Sequence, residues 1–189
     1  MLRQLLRTLM AALFIQTALA AQSAAPAQPE AQRALSPAGI ERINREVRHE
    51  LLLLPYYGVF DNLGYRVAPD GSVTLVGQVA RPTLKSDAEN AVKHIEGVER
   101  VDNQIQVLPA SPMDDQIRMA TYKAIYGNSS LAPYSVRAVP PIHIIVSGGH
   151  VTLEGAVATQ MDKQLAETQA KSVPNVFSVT SNLQVDQGK

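Results

Sequence analysis

The sequence predicts an α/β fold, an α+β sandwich in two tandem αββαβ domains, each a three-stranded mixed sheet covered by two helices. Three observations predict it. A shift of 78 residues lays Gly71–Val107 on Gly149–Val185 without a gap. The two stretches share 15 identities over 37 positions, where unrelated sequences share about two. Within each copy the apolar period runs helical, alternating, helical and alternating again. Gly, Pro, Asn and Ser interrupt both copies at matching places.

Copy one opens at Ser36-Pro37, a side-chain N-cap followed by proline at the first helical position. Ile40, Ile43, Val47 and Leu51 then keep helical spacing, with charges between them. Tyr65–Ala68, the turn Pro69-Asp70-Gly71-Ser72 and Val73–Val79 read as a hairpin. A second helix buries Leu84, Ala88, Ala91, Val92 and Ile95 and ends at Gly97, a residue suited to a left-handed cap. The last strand is Val98–Val107, with Val101, Ile105 and Val107 alternating with polar residues.

Copy two repeats the order. Ser111-Pro112 opens a helix with Asp114 at its third position and Met113, Ile117, Ala120, Ala124 and Ile125 on its apolar face. Ile142–Val146 and His150–Val157 flank Ser147-Gly148-Gly149, which places His150 opposite Val146. Ala166, Ala170 and Val173 mark the next helix, which ends at Asn175, and Val176–Val185 is the last strand. In each copy the hairpin is antiparallel. The β-α-β connection makes the last strand parallel to one of its members, with a right-handed crossover. Ser36-Pro37 recurs 75 residues later rather than 78, so the helix region absorbs a shift of three. The domains run 36–108 and 111–186, joined by Leu108-Pro109-Ala110.

Ahead of them, Arg3 and Arg7, the apolar run Leu9–Leu19 and Ala18-Leu19-Ala20 read as a cleavable signal peptide, residues 1–20. The run is too short for a spanning helix. Residues 21–35, rich in Ala, Gln and Pro, read as a disordered leader. The expected location is the periplasm or the outside of the cell. The whole chain has 17 Lys+Arg and 17 Asp+Glu. Removing residues 1–20 takes two arginines and no acid, leaving a slightly acidic protein.

That balance offers no basic footprint, so no nucleic-acid partner is expected. The absence of Cys excludes disulfides, thiolate metal sites, a Cys nucleophile and a lipid-modified cysteine, so membrane contact would be peripheral. No Walker A, GxGxxG or GxSxG pattern occurs. The histidines His49, His94, His143 and His150 show no helical metal-ligand spacing. No carboxylate pair is placed for acid–base work. No enzyme activity, metal, cofactor or catalytic residue is expected. Gly77 and Gly155 fall inside strands, where close packing or a bulge excludes a side chain. Arg42, Arg45 and Arg48 share a helix face with Glu41, Glu46 and Glu50, the pattern of a solvated, salt-bridged surface.

The ordered set Gly71-x-Val73-Thr74-Leu75-x-Gly77-x-Val79, Ala88/Ala91 and Gly97-Val98-x-x-Val101-x-Asn103-x-Ile105 resembles the BON domain of OsmY-like exported bacterial proteins. Gly149-x-Val151-Thr152-Leu153-x-Gly155-x-Val157, Val176-x-x-Val179 and Leu183 repeat it, departing at Asn175 and at Ser181, where copy one has Asn103. Gly71, Gly77, Gly97, Gly149, Gly155 and Asn175 are its structural positions. The resemblance implies a non-catalytic envelope module that binds phospholipid or other envelope components, with a role in osmotic or envelope stress. A periplasmic protein-interaction or chaperone-like module is the alternative. The candidate interface is the cluster Tyr56, Tyr57, Phe60 and Tyr65, which follows the apolar run Leu51–Leu54. Either Phe60 and one Tyr pack as core, or the rings sit at a bilayer or partner surface. Copy two has only Tyr134 there.

Overall fold

The computed structural model describes residues 34–186; the expected signal peptide and residues 21–33 of the leader lie outside them. Leu35, assigned above to the leader, donates its N–H to Pro69 O and packs against the first core. In the first domain the elements are α1 (Pro37–Leu52), β1 (Asn62–Val67), β2 (Ser72–Val79), α2 (Pro82–Val92), β3 (Arg100–Asn103) and β4 (Gln106–Val107). In the second they are α3 (Pro112–Tyr126), a 3-10 turn (Ala132–Val136), β5 (Ile142–Ser147), β6 (His150–Val157), α4 (Gln160–Lys171), β7 (Ser178–Ser181) and β8 (Gln184–Val185).

Each domain is a mixed α+β unit. β2 is central, antiparallel to β1 and parallel to β3 and β4; β6 holds the same place between β5 and β7 with β8. The expected single last strand is split in both copies. Its register is unbroken, since Leu75 faces Asn103 and Gln78 faces Gln106. The break falls beside Gly77, whose φ of 121° turns the central strand's backbone out of the regular ladder. Asn103 bridges it by accepting from Ile105 N–H. Gly155, with φ 113°, marks the same break in the second sheet.

The helices bury the faces that their periodicity marks: Ile43, Val47 and Leu51 from α1, Leu84, Ala88 and Val92 from α2. Met113 is an exception, because it lies half-exposed at the N-terminus of α3, while Arg118, Thr121 and Tyr126 are buried instead. α2 and α4 are capped at Lys93 and Ser172. Gly97 and Asn175 sit a turn further on, both at positive φ.

The second hairpin differs from expectation by one residue: His150 faces Ser147, and Val151 faces Val146. Copy one turns through Pro69-Asp70-Gly71, closed by Ala68 N–H to Ser72 O. Copy two turns through Gly148-Gly149 alone, both at positive φ, as a two-residue hairpin turn requires. The gap-free repeat ends at this turn, so one residue of slip passes to β5.

Candidate functional site

The connection from α1 to β1 carries the aromatic cluster, and it reaches into the second domain. Asp61 is buried and anchors it, accepting Ala80 N–H at 2.8 Å and Gly58 N–H at 3.3 Å. Burial pushes its carboxyl above the usual range, and the two N–H groups oppose that shift. Held this way, Val59 O accepts Ile144 N–H of β5 at 2.7 Å. Val59 and Phe60 pack against the second core, with Phe60 edge-on to Tyr122 at 6.2 Å. Tyr57 stacks on His143 at 5.8 Å; burial raises its phenol to about 12.

His143 is buried in this seam with its Nδ1 unpartnered. Desolvation by burial lowers its pKa, against the raising pull of the Asp61 and Gly58 backbone and the Asp61 and Glu154 charges. The unfolded chain therefore takes up a proton first on acidification, and stability contributed by neutral His143 is lost as pH falls below about 6.5. Melting temperatures from pH 8 to 5 should fall more steeply for the native chain than for His143→Gln. Parallel curves would remove His143 from the seam's energetics.

The four aromatic residues thus separate. Phe60 faces the other domain and Tyr57 lies at the seam. Tyr65 leans on α1, its hydroxyl donating to Asn44 O at 2.8 Å. Tyr56 is 75% exposed, at φ 68°, with the Arg81 guanidinium 4.8 Å above its ring. A tyrosine in the left-handed region costs about 1–3 kcal/mol, a strain that concentrates at functional positions. Leu52 and Leu53, 50% and 63% exposed, lie just ahead of it in the chain. An open groove of 550 Å³ runs between α1 and β1, lined by Asn44, Arg48, Leu51, Leu52, Leu63 and Tyr65 among others. Arg42 pairs with Glu46 and Arg45 with Glu41, as a salt-bridged face requires. Arg48 has no carboxylate partner among the described residues.

Tyr134, which the repeat sets against Tyr56, is wired inward: its hydroxyl donates to Asp162 Oδ2 and accepts Ala158 N–H. Gly71, Gly77, Gly97, Gly149, Gly155 and Asn175 all have positive φ. They are backbone positions and bring no chemistry together. No cluster of metal-ligating side chains occurs among the described residues.

Sequence reasoning missed two carboxylates. Asp61 carries no local signal, since its N–H partner Ala80 lies 19 residues on, beyond the hairpin. Asp114 was assigned to the first turn of its helix, where Ser111 Oγ does accept its N–H. Its carboxylate instead crosses to the Gly148-Gly149 turn, accepting both N–H groups. The buried position was unreadable because the turn lies far off in the chain. The available hint was that copy two alone combines a Gly-Gly turn with an acid, Asp114, where copy one has Gly39.

Comparison with known proteins agrees with this architecture. Two solved structures from Chlamydia trachomatis are similar to the chain at low levels. CdsD, a structural protein of the type III secretion system, is 13% identical, covering 75% of this chain and 91% of that one, with a TM-score of 0.27. The CdsD C-terminal domain is 11% identical, covering 75% and 96%, with a TM-score of 0.29. At those scores neither supports an argument about fold or function. Comparison with curated protein sequences returned no match. The family model of the BON domain matches residues 41–109 and again residues 114–187. The two matches cover most of the chain and coincide with the two sheet-and-helix units, so this chain belongs to the BON-domain family and carries the domain twice.

Proposed function

We propose that the protein is a non-enzymatic, exported envelope protein that makes peripheral contact with phospholipid surfaces, and that it serves in osmotic or envelope stress. The observation that carries the lipid reading is the exposed set Leu52, Leu53 and Tyr56 at the end of α1, with Arg81 against the Tyr56 ring. Apolar side chains can enter the acyl boundary there while a tyrosine and an arginine remain at headgroup level. The chain's 17 Lys+Arg are matched by 17 Asp+Glu, leaving no net basic excess, so this contact is weak and depends on apolar insertion more than on anionic attraction. Among the described residues no helix is long and apolar enough to cross a membrane.

Residues 21–189 should co-sediment with phosphatidylethanolamine–phosphatidylglycerol vesicles. Leu53→Ser with Tyr56→Ser should weaken that binding by about tenfold, from the apolar area lost. Phe60→Ser should change it by less than about twofold, since Phe60 faces Tyr122. No binding to any phospholipid mixture would end the lipid reading and leave the protein-interaction module.

A further inference from the structure

We propose that the groove between α1 and β1 of the first domain receives an extended polypeptide segment by strand addition, and that this segment carries an apolar side chain beside an acidic residue. The groove borders the exposed tip and shares Leu52 with it, but its test turns on Tyr65, Asn44 and Arg48, which lie outside that tip, so it stands or falls independently of the lipid reading.

The second domain shows what this groove does when filled. α1 and α3 start from equivalent N-caps, Ser36 and Ser111. Tyr65 faces Leu75, and Ile144 faces Leu153, the repeat partner of Leu75. Tyr65 and Ile144 are therefore equivalent edge residues. In the second domain the segment Gly58–Phe60 lies along that edge, with Ile144 N–H donating to Val59 O and Phe60 seated against Tyr122 of α3. The first domain has the same edge, and among the described residues no such segment is hydrogen-bonded to it.

Its backbone is phased to accept one. Ala68 N–H donates to Ser72 O, and hydrogen-bonded pairs alternate along an antiparallel ladder. Arg66 and Gly64 therefore face β2, while the N–H and C=O of Tyr65 point outward from the edge strand. Pro141 O accepting Ala156 N–H puts Ile144 in the same outward phase. Among the described residues Tyr65 N–H has no hydrogen-bond partner. An unpaired edge group of this kind is the usual receptor for an added strand.

The floor and rim state the occupant's chemistry. Where α3 presents Tyr122 and Tyr126, the equivalent positions of α1 are Val47 and Leu51. The smaller side chains accompany a groove of 550 Å³, with Leu51, Leu52 and Leu63 along it for an apolar side chain. Arg48, without a carboxylate partner among the described residues, lies in the lining and selects an acidic neighbour.

The probe is the blocked peptide Gly-Val-Phe-Asp, the sequence of residues 58–61, added to isotope-labelled residues 21–189 and followed by NMR. Saturable shifts should centre on Leu63–Val67, Asn44 and Arg48, and exchange of the Tyr65 amide should slow about tenfold. Asn44→Phe, which fills the groove while leaving the carbonyl that Tyr65 uses, should abolish the shifts and preserve vesicle binding. Arg48→Glu should weaken the peptide about tenfold and spare its Asp→Asn version. Absence of saturation overturns the proposal. So do shifts confined to the Val59–Ile144 seam, or a Tyr65 amide that responds to vesicles and not to peptide. Loss of the native spectrum in Asn44→Phe leaves Arg48→Glu and the Tyr65 amide to decide.

Discussion

Replacing Gly77 or Gly155 by alanine should unfold the domain that carries it. Both residues combine a φ above 110° with backbone pressed against the neighbouring strand. A Cβ on Gly77 would overlap Asn62 O, and one on Gly155 would overlap Pro141 O. Neither obstacle is a movable side chain. The neighbouring strand would have to leave its ladder, and the φ would remain strained after it did. The cost should exceed about 4 kcal/mol, most of what a small domain has to spare. Chemical denaturation should show the loss of one transition while the other domain's persists. Gly64→Ala is the comparison: its Cβ would meet Val76 Cγ2 at 3.2 Å and Val76 O at an ordinary 3.8 Å, and its φ is ordinary. If Gly77→Ala stays within about 1 kcal/mol of the native chain, the flipped backbone is wrongly described.

Asp114→Ala should destabilise the second domain by about 3 kcal/mol. The carboxylate is only 2% exposed and accepts Gly148 N–H at 2.9 Å and Gly149 N–H at 2.8 Å. Truncation strands both donors, and Gly149 is itself buried. The first domain closes its hairpin locally, with the half-buried Asp70 accepting from Ser72 N–H and Oγ. Asp70→Ala should therefore cost less than about 1 kcal/mol. Thermal unfolding of the two variants side by side reads the difference. Equal effects would mean that Asp114 does no more than cap its helix.

Local rules reached most of the fold. Helix starts were readable because Ser36 and Ser111 cap within three residues. The in-strand glycines were readable as places without room for a side chain, though what crowds them is the neighbouring strand. The slip at His150 was not, because a gap-free repeat hides one residue lost inside a turn. The candidate site was legible as a concentration of aromatic residues and not as an arrangement. Nothing local tells Phe60 that its partner is Tyr122 of the other domain, or Asp61 that its partner is Ala80 N–H. The same blindness applies to the departure at Ser181. Asn103 reaches Lys85 O and Glu89 from the first domain's sheet, whereas Ser181 Oγ is buried without a partner. Only the packed α2 and α4 helices show that the exchange removes a tether.

The segment Gly58–Phe60 lying on β5 makes the repeat unequal in time as well as in space. The first domain is synthesised first and can close around its own residues, already presenting the strap. The second must find that strap before its outer strand is covered, and until then it exposes an open edge of the kind that seeds aggregation. A duplicated module of this design is no longer interchangeable with its twin. The earlier copy supplies the segment that covers the later one's outer strand, so exchanging the two along the chain would leave β5 without its cover.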